Sequence, residues 1–248
     1  MSPSWQAWTT VALDLLFPPF CPLCRARLGE GRRDPLCGSC WERLERLLPP
    51  YCRTCGRPFP SFDPSRASER SRCEPCRRRR PFFTYARAAT LYGERVREAL
   101  FCLKFGGKTA MARPLGDLMA DAGLAMVPVK EIDCLVPVPL HRSREAERGF
   151  NQSGLLARRV SQRWGIRVES AALRRLRSTH PQTDLDAQER RRNVKGAFAL
   201  SRPEAFVERH VLLIDDVFTT GATVSECARV LLGAGAARVG VLTVARVP

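Results

Sequence analysis

Four cysteine pairs in the first 80 residues constrain the fold of this chain more than any other feature. Each pair encloses two residues, and the pairs follow one another along the sequence. They are Cys21 and Cys24, Cys37 and Cys40, Cys52 and Cys55, and Cys73 and Cys76. A C-x-x-C turn places two sulfurs on one side of a tight loop, and two such turns complete the tetrahedral shell that zinc prefers. The spacing therefore predicts two structural zinc ions, with disulfides or an iron–sulfur cluster as the alternatives.

These cysteine pairs can be joined into zinc sites in more than one way. Consecutive pairing gives the first four cysteines to one ion and the last four to the other, whereas a crossed arrangement mixes them. The segment WERLERLL, residues 41–48, is typical of a helix and ends at two prolines, so it separates the two halves. We therefore expect consecutive pairing and a double zinc ribbon, with a short N-terminal helix, over residues 1–80. Structural zinc contributes folding free energy on the order of 10 kcal/mol, which replaces the apolar core that this segment lacks.

The remainder of the chain, residues 81–248, has the pattern of an α/β domain. The run RRRRP at residues 77–81 indicates an exposed junction, and beyond it apolar runs alternate with segments of helical periodicity. Strands are predicted at 132–138, 211–214 and 239–244, a strand with a turn or a strand pair at 82–93, and helices at 94–105, 114–126, 153–164 and 224–232. This alternation predicts a mostly parallel sheet with helices on both faces. The isolated Cys102, Cys134 and Cys227 lie in apolar contexts and are expected to be buried packing residues.

One motif in this domain combines acidic and phosphate-binding chemistry. It reads VLLIDDVFTTGAT and covers residues 211–223. We expect Asp215 and Asp216 to emerge where the strand meets solvent, because ligands of such sheets bind beyond the carboxyl ends of the strands. Residues 219–223 then enter a helix, where hydroxyls and backbone N–H groups suit a phosphate monoester. The carboxylates suit the hydroxyls of a neutral sugar, so a ribose 5-phosphate satisfies both parts of the motif.

This motif resembles the phosphoribosyl-pyrophosphate motif of type I phosphoribosyltransferases, from which it departs at Phe218, where an aliphatic residue is commoner. Three further segments resemble the ComF family: LVPVPLHRSREAERGFNQ at residues 135–152, the pattern of Arg177, Thr179, Gln182 and Leu185, and ERRRNVKGAF at residues 189–198. The double zinc ribbon is similar as well, so the resemblance covers essentially the full length. It implies a phosphoribosyltransferase-like α/β domain and a link to DNA uptake during natural transformation in bacteria.

The resemblance also implies which residues form the site. Asp215, Asp216 and Arg142 are implied as catalytic residues, with Mg²⁺ and phosphoribosyl pyrophosphate bound nearby. The implied phosphate ligands are Thr219, Thr220, Gly221, Ala222 and Thr223 in the motif, and Pro139, Leu140, His141, Arg144 and Arg148 in the loop after the earlier strand. His141 has an alternative interpretation as a loop anchor. The long polar segment 176–195, with Arg177, Gln182, Arg190 and Asn193, is expected to be a flexible loop that closes over the site.

Charge and composition leave two classes of function open. The net charge of +16 favours an anionic partner, although 37 of the 41 basic residues are arginine, a skew that codon bias alone produces. The first hypothesis is an enzyme that transfers ribose 5-phosphate to an acceptor that the sequence does not name. The second is a non-catalytic sensor of a phosphoribosyl ligand that also holds single-stranded DNA or a protein of the competence machinery. Apolar runs stay well short of the roughly 20 residues of a membrane helix, and the N-terminus lacks the basic start of a signal peptide, so we expect a cytoplasmic protein without membrane insertion.

Overall fold

The computed structural model describes residues 20–29, 35–59, 72–177 and 187–248. The helix predicted near the N-terminus lies outside these ranges. So do Thr179, Gln182 and Leu185, which contribute to the resemblance described above. Within the described ranges, no helix is both long enough and apolar enough to cross a membrane.

Helices and strands alternate along most of the chain beyond the cysteine-rich segment. The strands are β1 (Tyr85–Leu91), β2 (Cys134–Pro137), β3 (Leu173–Arg175), β4 (Phe198–Leu200), β5 (His210–Phe218) and β6 (Arg238–Arg246). The helices are α1 (Gly38–Glu42), α2 (Glu74–Arg78), α3 (Glu94–Lys104), α4 (Ala112–Met126), α5 (Arg142–Arg148), α6 (Gln152–Trp164), α7 (Ala187–Val194) and α8 (Ala222–Gly233). Single 3-10 turns occupy Thr109–Met111, Val129–Glu131 and Pro203–Phe206.

The central sheet is parallel and runs in the order β1-β6-β5-β2. This confirms the predicted α/β class with a mostly parallel sheet. A separate antiparallel pair joins β3 to β4. Strand β5 lies between β6 and β2, so it is covered by neighbours on both edges and by helices on both faces. The sequences of strands in that position are continuous runs of apolar residues, as at residues 211–214.

Alternate residues of the central strands enter two separate cores. Leu212 and Ile214 of β5 belong to a first core, which also holds Leu115 of α4 and Leu156 of α6. Val211 and Leu213 belong to a second core, where α8 and the turn Pro203–Phe206 cover the sheet. This separation follows from the period of two in a strand, which sends successive side chains to opposite faces.

The eight paired cysteines form two tetrads, as consecutive pairing predicts. Centre 1 consists of Cys21, Cys24, Cys37 and Cys40, and centre 2 consists of Cys52, Cys55, Cys73 and Cys76. Within each tetrad the sulfurs all lie within 4.8 Å of one another. Four thiolates at about 2.3 Å from a tetrahedral zinc ion fit that spacing. Cys21, Cys37 and Cys40 of centre 1 belong to the first core and all four cysteines of centre 2 to the second, so each centre packs on a different face of the sheet.

Residues 41–48 and 176–195 are among the stretches that differ from their predicted secondary structure. The helix predicted at 41–48 ends at Glu42, after which Leu44 and Leu47 are buried and Arg46 forms a bridge with Thr90 of β1. Pairing with the sheet edge therefore outweighs the helical periodicity of this segment. The predicted flexible loop 176–195 contains α7, and the backbone N–H of Leu176 bonds to the carbonyl of Ala197. Part of that segment is thus regular structure.

The isolated cysteines were all predicted to be buried, and the structure buries two of the three. Cys134 and Cys227 are fully buried in the second core, which confirms them as packing residues. Cys102 is half-buried and packs against the first core.

We expect the purified protein to carry two zinc ions per chain. Cys40→Ser and Cys76→Ser should each release one of them, because each change removes a buried ligand from a different tetrad. Elemental analysis of the purified variants measures this directly. Cys102→Ser is the matched control and should retain both ions. A wild-type protein with a single zinc ion, or with iron, would contradict the assignment.

Candidate active site

Strand β5 does not end where the sequence suggested. It continues past Ile214 to Phe218, because β6 stays paired with it as far as Arg246. Asp215 and Asp216 therefore lie within the strand, and Asp216 is only 5% exposed. The expectation that both carboxylates emerge into solvent is wrong. Both acids line a cleft, where Asp216 is buried and Asp215 is half-buried, so a charge on either needs partners from the protein.

Asp216 has a cationic partner. Its carboxylate forms an ion pair with the ammonium of Lys104, the last residue of α3, and also accepts a hydrogen bond of 3.3 Å from Nε2 of Gln152. Burial by itself pushes the pKa of Asp216 upward, but the adjacent Lys104 outweighs it and holds the pKa below its usual value. The same contact raises the pKa of Lys104 despite the burial of its ammonium. Both groups are therefore charged at neutral pH.

The pKa of Asp215 is shifted in the opposite direction. Its Oδ1 accepts hydrogen bonds from the hydroxyl of Ser153, at 2.8 Å, and from the backbone N–H of Asp216, at 2.9 Å. Burial and the neighbouring charge of Asp216 outweigh these donors and raise the pKa of Asp215 to about 8. The two adjacent acids are thus held in different protonation states, a pattern typical of functional sites.

A glycine turn connects the two acids to α8. Gly221 has φ +76° and caps the N-terminus of that helix. A Cβ at this position would lie 2.5 Å from Cζ of Phe218, so only glycine fits both the backbone conformation and the space. Thr219, Gly221, Ala222 and Thr223 line the cleft beside the acids. Thr220 is exposed and is not among the lining residues; its hydroxyl accepts from the backbone N–H of Ala222 at 3.4 Å.

The predicted pyrophosphate loop is divided between the cleft and a short helix. Pro139, Leu140 and Arg144 line the cleft. His141 instead caps α5, where its Nδ1 accepts from the backbone N–H of Ser143 at 3.3 Å, in agreement with the loop-anchor interpretation. Arg142 is exposed at the start of α5 and does not line the cleft.

Arg148 is one contact removed from the cleft. It donates to Oε1 of Gln152 at 2.6 Å and lies 4.9 Å from the ring centroid of Phe105. The cleft itself has a volume of about 240 Å³. Of the residues predicted from the resemblance, it therefore gathers Asp215, Asp216, Pro139, Leu140, Arg144, Thr219, Gly221, Ala222 and Thr223, but not Arg142, His141, Arg148 or Thr220.

Three polar or charged lining residues were not predicted from the sequence as site residues. Lys104 reaches the cleft from the end of α3, Gln152 from the start of α6 and Arg175 from the end of β3. The sequence gives a weak indication that Lys104 is a site residue, because it is one of four lysines in a chain whose other 37 basic residues are arginine. Gln152 is the last residue of the segment 135–152, one of those that resemble the ComF family. Nothing in the sequence near Arg175 distinguishes it from the neighbouring arginines.

Comparison with known proteins finds matches for both the cysteine-rich segment and the α/β domain. Residues 12–77 match the family described as a double zinc ribbon domain. The DNA utilization protein YhgH of Escherichia coli K12 is 33% identical over 240 residues, which cover 94% of this chain and 99% of that protein. Competence protein F of Haemophilus influenzae is 29% identical, with 91% and 96% covered, and competence protein ComFC of Bacillus subtilis is 28% identical, with 82% and 80% covered. The chain belongs to the ComF family.

Proposed function

We propose that the chain binds phosphoribosyl pyrophosphate together with Mg²⁺ in the cleft at the end of β5. One observation carries this proposal. A glycine turn at a helix N-terminus, two adjacent aspartates and the cationic side chains of Lys104, Arg144 and Arg175 all line the same cleft. A phosphorylated sugar with a pyrophosphate group needs these three chemistries at once.

The turn before α8 suits the 5-phosphate. The first backbone N–H groups of a helix have no partner within the helix, and the helix dipole adds positive potential there. Gly221, Ala222 and Thr223 line the cleft at this helix N-terminus, and Thr223 carries a hydroxyl. Asp215 lies on the sugar side of this turn, where its carboxyl accepts from ribose hydroxyls.

Two arginines of the cleft suit the pyrophosphate. Arg144 comes from α5 and Arg175 from β3, and a planar guanidinium bonds two phosphate oxygens at once. Because pyrophosphate leaves the anomeric carbon as an anion, cations fixed in advance stabilise the departing charge. The carboxylates of Asp215 and Asp216 are the residues that would hold Mg²⁺, which would supply further positive charge to stabilise the pyrophosphate.

The similar proteins connect this chemistry to DNA. Two of them are named competence proteins and another a DNA utilization protein. We propose a corresponding role in DNA uptake, with single-stranded DNA as a second ligand. Exposed arginines support it: Arg77, Arg78, Arg79 and Arg80 follow centre 2, and Arg191 and Arg192 lie on α7. Surfaces of this kind attract nucleic-acid phosphates irrespective of sequence.

Calorimetric titration with phosphoribosyl pyrophosphate and Mg²⁺ tests the ligand. Asp215→Asn and Thr223→Val should each weaken binding by about tenfold, because each removes a hydrogen bond to a charged or strongly polar group of the complex. Asp121→Asn on α4 and Thr109→Val are the matched controls, since neither residue lines the cleft. Equal affinity of the site variants and the wild type would contradict the assignment. In the same samples, pyrophosphate release across a panel of bases, nucleosides and single-stranded DNA separates an enzyme from a sensor.

Binding should also depend on pH through Asp215. This carboxyl is protonated in the ligand-free protein below its raised pKa of about 8. Ribose hydroxyls and Mg²⁺ favour its ionised form, so binding releases a proton and affinity increases with pH until that pKa is passed. The largest slope from one group is about tenfold per pH unit. Titrations of wild type and Asp215→Asn over the same pH series isolate this contribution, and identical slopes would show that Asp215 does not ionise on binding.

Affinity for single-stranded DNA should decrease steeply with salt. Each phosphate that the protein neutralises adds about 0.7 to the slope of log affinity against log salt for single strands, because condensed counterions are released. Replacing Arg191 and Arg192 with serine should reduce the slope by about that amount for each phosphate that the variant no longer neutralises. Fluorescence anisotropy with a labelled oligonucleotide measures the slope. Binding that is insensitive to salt, or no binding at low salt, would exclude this second ligand.

A further inference from the structure

Arg246 connects the second zinc centre to the end of strand β5. It is the last residue of β6, it pairs in register with Phe218, and it is only 2% exposed. Its Nη1 donates a hydrogen bond of 2.6 Å to the backbone carbonyl of Cys55, one of the four cysteines of centre 2. Its guanidinium carbon lies 4.8 Å from the ring centroid of Phe218. One buried side chain therefore contacts both the knuckle of centre 2 and the strand that carries the two acids.

Phe218 continues this connection to the glycine turn. Its ring fills the space beside Gly221, where an added Cβ would approach Cζ to 2.5 Å. The ring also packs edge-on against Phe83, with centroids 5.8 Å apart, in the segment that follows α2 of centre 2. The neighbouring backbone N–H of Phe82 donates to Oγ of Ser225 on α8 at 3.2 Å. The phosphate-binding turn is thus held between β5, α8 and the chain leaving centre 2.

Loss of zinc weakens these contacts. Without the metal, the turn of Cys52 and Cys55 loses the bonds that fix its backbone, including the Cys55 carbonyl that accepts from Arg246. Because the guanidinium of Arg246 is buried, the loss of this acceptor is strongly unfavourable, so an empty centre 2 favours a rearrangement of Arg246. Phe218 and the turn that it packs against are then no longer supported.

Centre 1 has no comparable connection to the glycine turn within the described residues. Its buried cysteines, Cys21, Cys37 and Cys40, lie in the first core, which includes none of residues 218–224. Its segment attaches to the edge strand β1 through the bonds of Leu47 N–H to the Ala89 carbonyl, at 3.1 Å, and of Leu91 N–H to the Glu45 carbonyl, at 2.9 Å. By contrast, all four cysteines of centre 2 share the second core with Phe83, Phe218, Ala222 and Val224. The two centres are therefore not equivalent with respect to the cleft.

We propose that Arg246 and Phe218 are positioning residues that couple zinc in centre 2, and not in centre 1, to the affinity of the phosphate-binding turn. The inference rests on the proposed binding of phosphoribosyl pyrophosphate to this turn. Coupling between two binding sites is reciprocal: if zinc in centre 2 strengthens ligand binding, the ligand strengthens zinc binding by the same factor. This reciprocity provides a measurement that does not require catalytic turnover.

The test is an equilibrium competition for zinc between the full-length protein and a chelating dye, with and without saturating phosphoribosyl pyrophosphate and Mg²⁺. The ligand should increase the zinc affinity of one of the two centres by about fivefold or more, the lower range of measured couplings. Cys40→Ser, which retains centre 2, should show the full increase. Cys76→Ser, which retains centre 1, should show none. An equal increase at both centres would overturn the inference.

Variants at the connection identify the residues responsible. Arg246→Met should keep two zinc ions, bind the ligand about fivefold more weakly and lose the effect of ligand on zinc affinity. Arg246→Lys, which restores a donor and a positive charge, should recover part of that effect. Arg87→Met is the matched control: Arg87 donates to the carbonyl of Arg53 on the same ribbon at 2.9 Å, so its replacement perturbs the ribbon without touching Phe218. Disappearance of the effect in Arg87→Met to the same extent would indicate general destabilisation and overturn the assignment to Arg246.

Measurements on the wild type alone show which of the two proposals has failed. If calorimetry detects ligand binding but zinc affinity stays unchanged, the coupling is refuted and the proposed function stands. If no ligand binding is detected in protein that carries both zinc ions, the proposed function is refuted and the coupling with it.

Discussion

The ion pair between Lys104 and Asp216 is the interaction on which the arrangement of the cleft depends. A central strand surrounded by apolar side chains cannot hold two ionised carboxylates without compensation, because the cost of removing each charge from water exceeds what a strand's backbone contacts supply. Asp216 has the same strand parity as Leu212 and Ile214, so its side chain is directed towards α3 and α6. Lys104 and Gln152 lie there and hold its charge. Asp215 then keeps its proton, and β5 extends to the glycine turn.

The same interaction helps to explain which parts of the fold could be predicted from the sequence and which could not. Consecutive C-x-x-C spacing predicts both tetrads, because each turn fixes its two sulfurs locally. Apolar periodicity predicts α3, α4, α6 and α8, because one face of each helix is buried. The end of β5 is different: Asp215 and Asp216 are poor strand residues, and only the continuation of β6 to Arg246 and the charge of Lys104 keep them in the sheet. Those partners are distant in sequence, so no local pattern contains them.

The site residues also divide into those that a local sequence pattern predicts and those that it does not. Gly221 and Thr223 belong to a contiguous motif that lines the cleft, so a local pattern is enough to find them. Arg175 lines the cleft because β3 ends beside His141, a contact between segments more than thirty residues apart. Arg142 lies outside the cleft for the converse reason. The loop in which it was expected to reach a phosphate is a helical turn, and its side chain lies on the solvent side of that turn.

Strand β1 is an edge strand of the parallel sheet, and the ribbons cover its open side. Its backbone N–H of Ala86 bonds to the carbonyl of Thr54 at 2.6 Å, and its Ala89 carbonyl and Leu91 N–H bond to the segment between the two centres. An uncovered edge strand exposes a row of donors and acceptors that can pair with another chain. Because the covering segments lack a core of their own, zinc binding supplies the order that closes this edge. The metal sites therefore complete the sheet, and the stability of the ribbons is coupled to that of the α/β domain on which they pack.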